Sequence, residues 1–341
     1  MRALLSKAAG GPEMLVVEEL DSPVPGPGQV RLRVHACALG YADTLIIKDQ
    51  YQLRPPRPFA PGGEVAGVVD ALGAGVTTLD VGDRVIGWCF WGGLAQELVI
   101  DADRCVPIPD AMPTDDAAAL LFSHGTALYA LRERGELKVG ETLLVTGASG
   151  GVGLAAVEWG KLMGARVVAA TSTQEKLALA LECGADAGVV YPSAAPASPE
   201  GGLDKDAARA FGQQLKDALG KQGANVVLDV VGGDYAEQCL RAVAWQGRYL
   251  VVGFAAGIPK LPMNLVLLRG CDIRGVGSGE YILRDRAKFD ASHRELIDMY
   301  SQGRVRPRIS GRFRLDEAPR ALSLLAGRQA LGKLVVTMGY P

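Results

Sequence analysis

The sequence predicts an α/β chain of two domains, a small β-rich barrel followed by a doubly wound parallel sheet. Three observations carry that reading. Residues 1 to 122 hold short alternating runs broken by dense Gly/Pro turns. From Thr114 onward helical patterns alternate with buried-strand patterns. Between two of these patterns lies Val145-Thr146-Gly147-Ala148-Ser149-Gly150-Gly151-Val152-Gly153, a glycine-rich turn. At 341 residues the chain is long enough for each domain to bury its own core.

In chain order, Gln29 to Val34 alternates polar and apolar, as a half-buried strand does. Turns are signalled at Pro23 to Gly28, Pro61-Gly62-Gly63 and Val81 to Arg84. Ala117 to Phe122 and Ala127 to Leu131 read as helix. Thr142 to Val145 reads as a strand, Leu154 to Met163 as a helix and Ala165 to Ala170 as a second strand, a β-α-β unit. Further strands are expected at Val189-Val190, Val226 to Val231 and Gly247 to Phe254. Pro192 to Asp206 has loop composition, an exposed and mobile connection, and Gly257 to Pro262 reads as a turn leaving the sheet. The final stretch, Gly332 to Thr337, reads as a strand too short to be a domain of its own and is expected to return to the first one.

The glycine turn has the spacing Ala148-x-Gly150-x-x-Gly153 between a strand and a helix. Such a turn lets backbone N–H groups approach a diphosphate, with the positive end of the helix dipole behind them. An NAD site places an acid about 20 residues later, at the tip of the second strand, to hold the ribose 2′-hydroxyl. Here the tip reads Ala170-Thr171-Ser172-Thr173, followed by Lys176. Hydroxyls and an ammonium suit a 2′-phosphate, which a carboxylate would repel. The expected cofactor is therefore NADPH, held by Ser149, Gly150, Gly151, Val152, Gly153, Thr171, Ser172 and Lys176.

Two other patterns overlap the turn. Thr146-Gly147-x-x-x-Gly151-x-Gly153 resembles the turn of short-chain dehydrogenases, which need Tyr-x-x-x-Lys later; none of Tyr191, Tyr235, Tyr249, Tyr281 and Tyr300 has Lys four residues on. Gly147-x-Ser149-x-Gly151 fits a hydrolase nucleophile elbow. Its only later histidine, His293, reads as a helix start on a polar surface.

Net charge is −2, without the basic surplus that sequence-independent nucleic-acid binding needs. No apolar run is long enough to span a bilayer, and the N-terminus lacks a signal-peptide pattern, so a soluble cytoplasmic protein is expected. The six cysteines are scattered, with neither a disulfide framework nor a zinc knuckle.

Taken together, the motifs resemble the medium-chain dehydrogenase/reductase superfamily, and within it the zinc-independent NADPH:quinone oxidoreductase branch that includes zeta-crystallin. The resemblance rests on Gly40 to Thr44, Pro61 to Val69, Val81 to Val85, Gly125-Thr126-Ala127, Ala148 to Gly153, Val230 to Gly233 and Gly332 to Val336, in that order over nearly the whole chain. It implies a chaperonin-10-like barrel catalytic domain over 1–122, completed by 263–341, and a Rossmann domain over 123–262, with the active site in the cleft between them. It implies a homodimer through the outer Rossmann strand, Asp272 to Val276. It adds Thr126, Tyr191, Val231, Gly232, Gly253, Phe254 and Lys333 to the cofactor contacts, with Tyr191 flanking the adenine ribose phosphate.

The resemblance also bears on metal. Zinc alcohol dehydrogenases carry Cys where this chain has Gly40 and His where it has Gly63, so two ligands are absent and no metal site is expected. His35 and Cys37 share one face of a strand, where core packing is their expected role. His124, placed near the start of the domain-crossing helix, is expected to pack or cap. Without a Lewis acid, simple alcohols are poor substrates, whereas quinones and enones accept hydride readily. Tyr41, Asp43, Tyr51 and Thr126 are the candidates to line the catalytic site, with Tyr51 able to hydrogen-bond or protonate the acceptor. The alternatives are an enoyl, 2-haloacrylate or acrylyl-CoA type alkene reductase, for which Arg54, Arg57, Lys260 and Arg269 could meet an anionic substrate, and a non-catalytic NADPH-binding structural or regulatory protein.

Overall fold

The computed structural model describes residues 1–192 and 203–339, so most of the expected Pro192–Asp206 loop lies outside the described residues. The chain forms two compact units, Met1–Phe122 with Ala291–Pro341, and Ser123–Asp290. Its passage from one to the other falls inside the helix Thr114–Leu128.

In the first unit, seven strands form a largely antiparallel sheet, in which Arg84–Trp88, Glu64–Leu72, Gln29–Leu39 and Lys333–Thr337 are successive neighbours. Gln29–Leu39 is the axis. Its first half pairs with Glu97–Asp101 and its second half with Lys333–Thr337, while Glu64–Leu72 runs along the other edge. Register shifts between Arg31 and Leu32 and between Val34 and Ala36 interrupt its pairing with Glu64–Leu72, as bulges do in barrel-like sheets. Val30, Leu32 and Val34 point inward while Arg31 and Arg33 do not, so the period-two reading holds. The C-terminal strand joins this sheet because Leu334 and Val336 enter the same core as Val65 and Val85.

The second unit is a six-stranded parallel sheet in the order Ala187–Val190, Arg166–Thr171, Thr142–Thr146, Ala224–Asp229, Val243–Val251, Asp272–Gly275. Leu143 to Val145, Val167 to Ala170 and Val226 to Leu228 are all fully buried, the pattern of strands covered on both faces. The chain reverses its direction of travel across the sheet between Thr142–Thr146 and Ala224–Asp229, the topological switch point. This is the α/β architecture the sequence predicts.

Four expectations are corrected. The return to the first unit comes at Ala291, not 263. Residues 264–290 stay with the parallel sheet because Asp272–Gly275 is its sixth strand and Tyr281 stacks on Tyr129 at 4.1 Å. The strand expected at Gly247 begins at Val243, where an irregular register around Ala224 and the exposed Trp245 mask it. His293 is no helix start on a polar surface: it lies inside Arg286–Ser301 and is buried. His124 likewise sits deep in its helix, with Nε2 at 2.9 Å from Glu158 Oε2.

Candidate active site

The glycine turn lies at the switch point. Gly147 adopts φ +59°, where side chains are strained, and a Cβ there would lie 2.5 Å from Val230 Cγ2. A Cβ on Gly153 would lie 2.1 Å from the Gly147 carbonyl oxygen, so the helix can pack on the strand only through glycine. Gly150 differs. Its backbone is extended and its nearest neighbour would be the Gly147 oxygen at 3.5 Å, so nothing inside the protein demands glycine there. Open space over Gly150, beside the uncapped N-terminus of the twelve-residue helix Gly151–Leu162, suits an incoming diphosphate.

At the tip of the second strand, Lys176 Nζ lies 3.1 Å from Ser172 Oγ. Thr173 Oγ1 caps the next helix by accepting from Lys176 N at 3.2 Å. These two side chains present an ammonium and a hydroxyl together. Thr171 does not join them: it is buried and its hydroxyl donates to the Thr173 carbonyl at 3.1 Å. Tyr191 is also committed elsewhere. Its hydroxyl accepts from Gly147 N at 2.6 Å and donates to the Ala170 carbonyl at 2.8 Å, and burial pushes its phenol well above the usual value. It braces the glycine turn from below, at the position where the resemblance implies a residue flanking the adenine ribose phosphate.

Val231, Gly232 and Gly253 gather around one residue that sequence reasoning missed. Asp229 is buried at the end of its strand. Its Oδ1 accepts from Thr146 Oγ1 at 2.5 Å, Val231 N at 2.9 Å and Gly232 N at 3.0 Å, and its Oδ2 from Tyr249 OH at 2.5 Å. Its own carbonyl accepts from Gly253 N at 3.2 Å. The legible signal was an acid closing an apolar strand just before Val230-Val231-Gly232-Gly233. Phe254 follows, exposed, and Thr126 is half-buried in its helix.

The remaining candidates belong to the first unit. Asp43 is buried; its carboxylate accepts from Gly40 N at 2.7 Å and Gly62 N at 3.0 Å. It thus ties the helix Tyr41–Ile46 to the Pro61-Gly62-Gly63 turn, while burial raises its pKa. Tyr41 opens that helix, and its carbonyl accepts from Thr44 Oγ1 at 2.7 Å. Tyr51 packs, partly buried, on the sheet core; burial and the charge of Asp43 raise its phenol pKa, so the proton stays on oxygen near neutrality. Lys333, expected at the cofactor, is buried with Nζ 3.5 Å from Glu64 Oε2. Glu64 also accepts from Phe122 N at 2.8 Å. Burial pushes the Glu64 carboxyl up, and Lys333 opposes that rise.

At Gly63, where zinc alcohol dehydrogenases carry a histidine, a Cβ would lie 3.2 Å from both Cα and the carbonyl oxygen of Phe90. Phe90 itself holds φ +64°. No group of three or more His, Cys, Asp or Glu among the described residues could hold a metal ion.

Comparison with known proteins agrees with this layout. Residues 26–110 match the alcohol dehydrogenase GroES-like domain, and residues 151–296 match the zinc-binding dehydrogenase family. The chain is 37% identical over 326 residues to quinone oxidoreductase-like protein 2 of Rattus norvegicus, covering 95% of this chain and 89% of that protein. The chain belongs to the quinone oxidoreductase branch of the medium-chain dehydrogenase/reductase superfamily. Within that superfamily it is also 30% identical over 351 residues to a 2-haloacrylate reductase of a Burkholderia species, covering 98% of each chain. Among solved structures, Escherichia coli quinone oxidoreductase complexed with NADPH superposes with a TM-score of 0.88 at 26% identity, covering 99% of this chain and 100% of that one.

Proposed function

We propose that this protein is an NADPH-dependent reductase that delivers hydride to a quinone or similarly activated acceptor without zinc. The observation that carries the cofactor reading is the glycine turn at the switch point, with Lys176 and Ser172 paired at the tip of the next strand. Ser149 to Gly153 and the helix behind them would take the diphosphate, and Ser172 and Lys176 the 2′-phosphate. Thr126, Val231, Gly232, Gly253 and Phe254 would border the nicotinamide half. Thr171 and Tyr191 would act from behind, through the backbone groups they bind, and Lys333 would act through its buried pair with Glu64 in the first unit.

When bound, NADPH supplies the electron pair and one hydrogen of the reduction. The chain's own task is orientation and the oxygen end of the acceptor. Tyr51, protonated at neutral pH, can donate to the developing oxyanion, and Asp43 fixes the backbone around Gly40 and Gly62 on which Tyr41 rests. Zinc independence is supported by Gly63, where a histidine would need the Phe90 backbone to move. An alkene reductase acting on an anionic substrate is less supported. Arg57 already binds Asp49 Oδ1 at 2.8 Å and the Ile47 carbonyl at 3.0 Å, and Arg269 binds the Arg241 carbonyl at 2.7 Å.

We also propose a homodimer through the outer strand Asp272–Gly275, which ends the order of this sheet among the described residues. Ile258, Met263, Leu267 and Leu268, in the segment leading to that strand, expose apolar side chains of the kind that subunit contacts cover.

NADPH oxidation measured across quinones, enones, haloacrylates and acrylyl thioesters tests the function. Turnover should be fastest with quinones, and Lys176→Ala should weaken NADPH but not NADH, by about 1–3 kcal/mol. Oxidation of simple alcohols with NADP⁺ faster than reduction of any of these acceptors would refute the reading. Binding of NADPH with no turnover of any of them would favour the non-catalytic alternative.

A further inference from the structure

The Asp229 cluster spans the switch point and contains none of the residues that would touch the acceptor. Its geometry is that of a clamp. Thr146, at the end of one strand, donates to Asp229 at the end of the next at 2.5 Å, and Thr146 Oγ1 in turn accepts from Val230 N at 3.1 Å. Thr146 is the residue just before the glycine turn, and Val231 and Gly232 form the turn that follows Asp229. The two turns also touch directly, because a Cβ on Gly147 would lie 2.5 Å from Val230 Cγ2 and 3.2 Å from Val231 Cγ2. Gly232 and Gly233 hold φ +65° and +57°, and a Cβ on Gly232 would lie 2.7 Å from the Gly257 carbonyl oxygen, so the second turn has one narrow conformation. Tyr249, fully buried on the third strand, closes the cluster from the far side. Four donors on one carboxylate in a dry interior form strong, charge-assisted bonds. A hydrophobic residue of the same volume would take this acceptor from all four donors, Thr146 Oγ1, Val231 N, Gly232 N and Tyr249 OH.

We propose that Asp229 is a positioning residue: its carboxylate locks the Val231–Gly232 turn against the Gly147–Gly153 turn, and so sets the span between the diphosphate and nicotinamide halves of NADPH. This deepens the cofactor reading given above and rests on it. The 2′-phosphate end, at Ser172 just past the strand Arg166–Thr171 and at Lys176 in the helix Gln174–Glu182, makes none of the four bonds that hold the Asp229 carboxylate. Loss of the clamp should therefore cost binding of the whole dinucleotide and spare binding of its adenosine end.

The test compares Kd values of the full-length protein for NADPH and for adenosine 2′,5′-bisphosphate. Asp229→Asn keeps the shape and removes the charge. It should weaken NADPH about tenfold or more and leave the bisphosphate within about twofold. Lys176→Ala, as the control, should weaken both. Thr146→Val removes both bonds of Thr146 Oγ1 across the switch point, the one to Asp229 and the one from Val230 N, and should give the same split, so the inference stays testable if Asp229→Asn fails to fold. Unchanged NADPH binding in both Asp229→Asn and Thr146→Val would overturn the proposal. So would a parallel loss of both ligands, which marks general destabilisation. A wild-type protein that binds neither ligand would overturn the cofactor reading and this inference together. A wild type that binds both, with no split in the variants, would overturn the inference alone.

Discussion

Replacing Lys333 with Met tests which role that lysine has. Its ammonium lies 3.5 Å from Glu64 Oε2, and the two side chains are only 7% and 1% exposed. Coulomb's law at an effective dielectric of about 20 puts the attraction at roughly 5 kcal/mol. Removing one partner of a buried pair leaves the other charge uncompensated, a loss of about 3–5 kcal/mol. In a unit of this size that is a fall in Tm of about 6–20 °C. The pH dependence is the sharper reading. Burial already holds the folded-state pKa of Glu64 above its ordinary value, against the lowering effect of Lys333. Met removes that opposition, so the carboxyl rises further. A raised carboxyl favours the folded state below its unfolded pKa, and that advantage is lost as pH rises through the folded pKa. The gap between wild type and Lys333→Met should therefore be largest at neutral and alkaline pH and shrink toward pH 5. Thermal unfolding from pH 5 to 9 measures it, and adding Glu64→Gln should restore most of the loss. A variant as stable as wild type at pH 8, with NADPH binding reduced, would refute the ion-pair argument and return Lys333 to the cofactor.

Gly153→Ala should abolish tight NADPH binding, because its Cβ would meet the Gly147 carbonyl at 2.1 Å, whereas Gly150→Ala should fold normally and lose affinity only through contact with the ligand; melting and titration separate the two. Tyr51→Phe should slow enone reduction more than quinone reduction, since the enone's enolate needs a proton placed on it and a hydroquinone can take protons from water, and equal effects would remove the donor role. If the proposed dimer forms, Leu267→Asp with Leu268→Asp should leave monomers by light scattering with the parallel-sheet core intact, and an unchanged assembly state would refute this interface. Exhaustive chelation should leave turnover unchanged, and loss of activity restored by zinc would show that ligands have been misplaced.

Much of the candidate site was legible because it is local. The glycine turn, the acid-free strand tip with Lys176 and the missing ligands at Gly40 and Gly63 are set by neighbours in sequence, where backbone conformation and side-chain size act directly. The alternation in Gln29–Leu39 and the apolar runs of the parallel sheet were legible for the same reason, since burial imposes a period on consecutive residues.

What was not legible depends on distance along the chain. Thr171 and Tyr191 have suitable chemistry at suitable positions, and only packing shows that their hydroxyls are spent on backbone groups. Glu64 and Lys333 are separated by 269 residues and Thr146 and Asp229 by 83, yet each pair meets in a buried interior. The boundary at Ala291 and the burial of His293 likewise follow from which sheet, and which aromatic partner, recruits the C-terminal segments. The order of the main strands and helices, the chemistry of the glycine turn and the family could be read from the residues alone, whereas the start of Val243–Val251 and the helix around His293 could not. The tertiary structure decided which polar groups face a ligand and which serve the protein, because a buried donor or acceptor must be satisfied by whatever the fold brings to it.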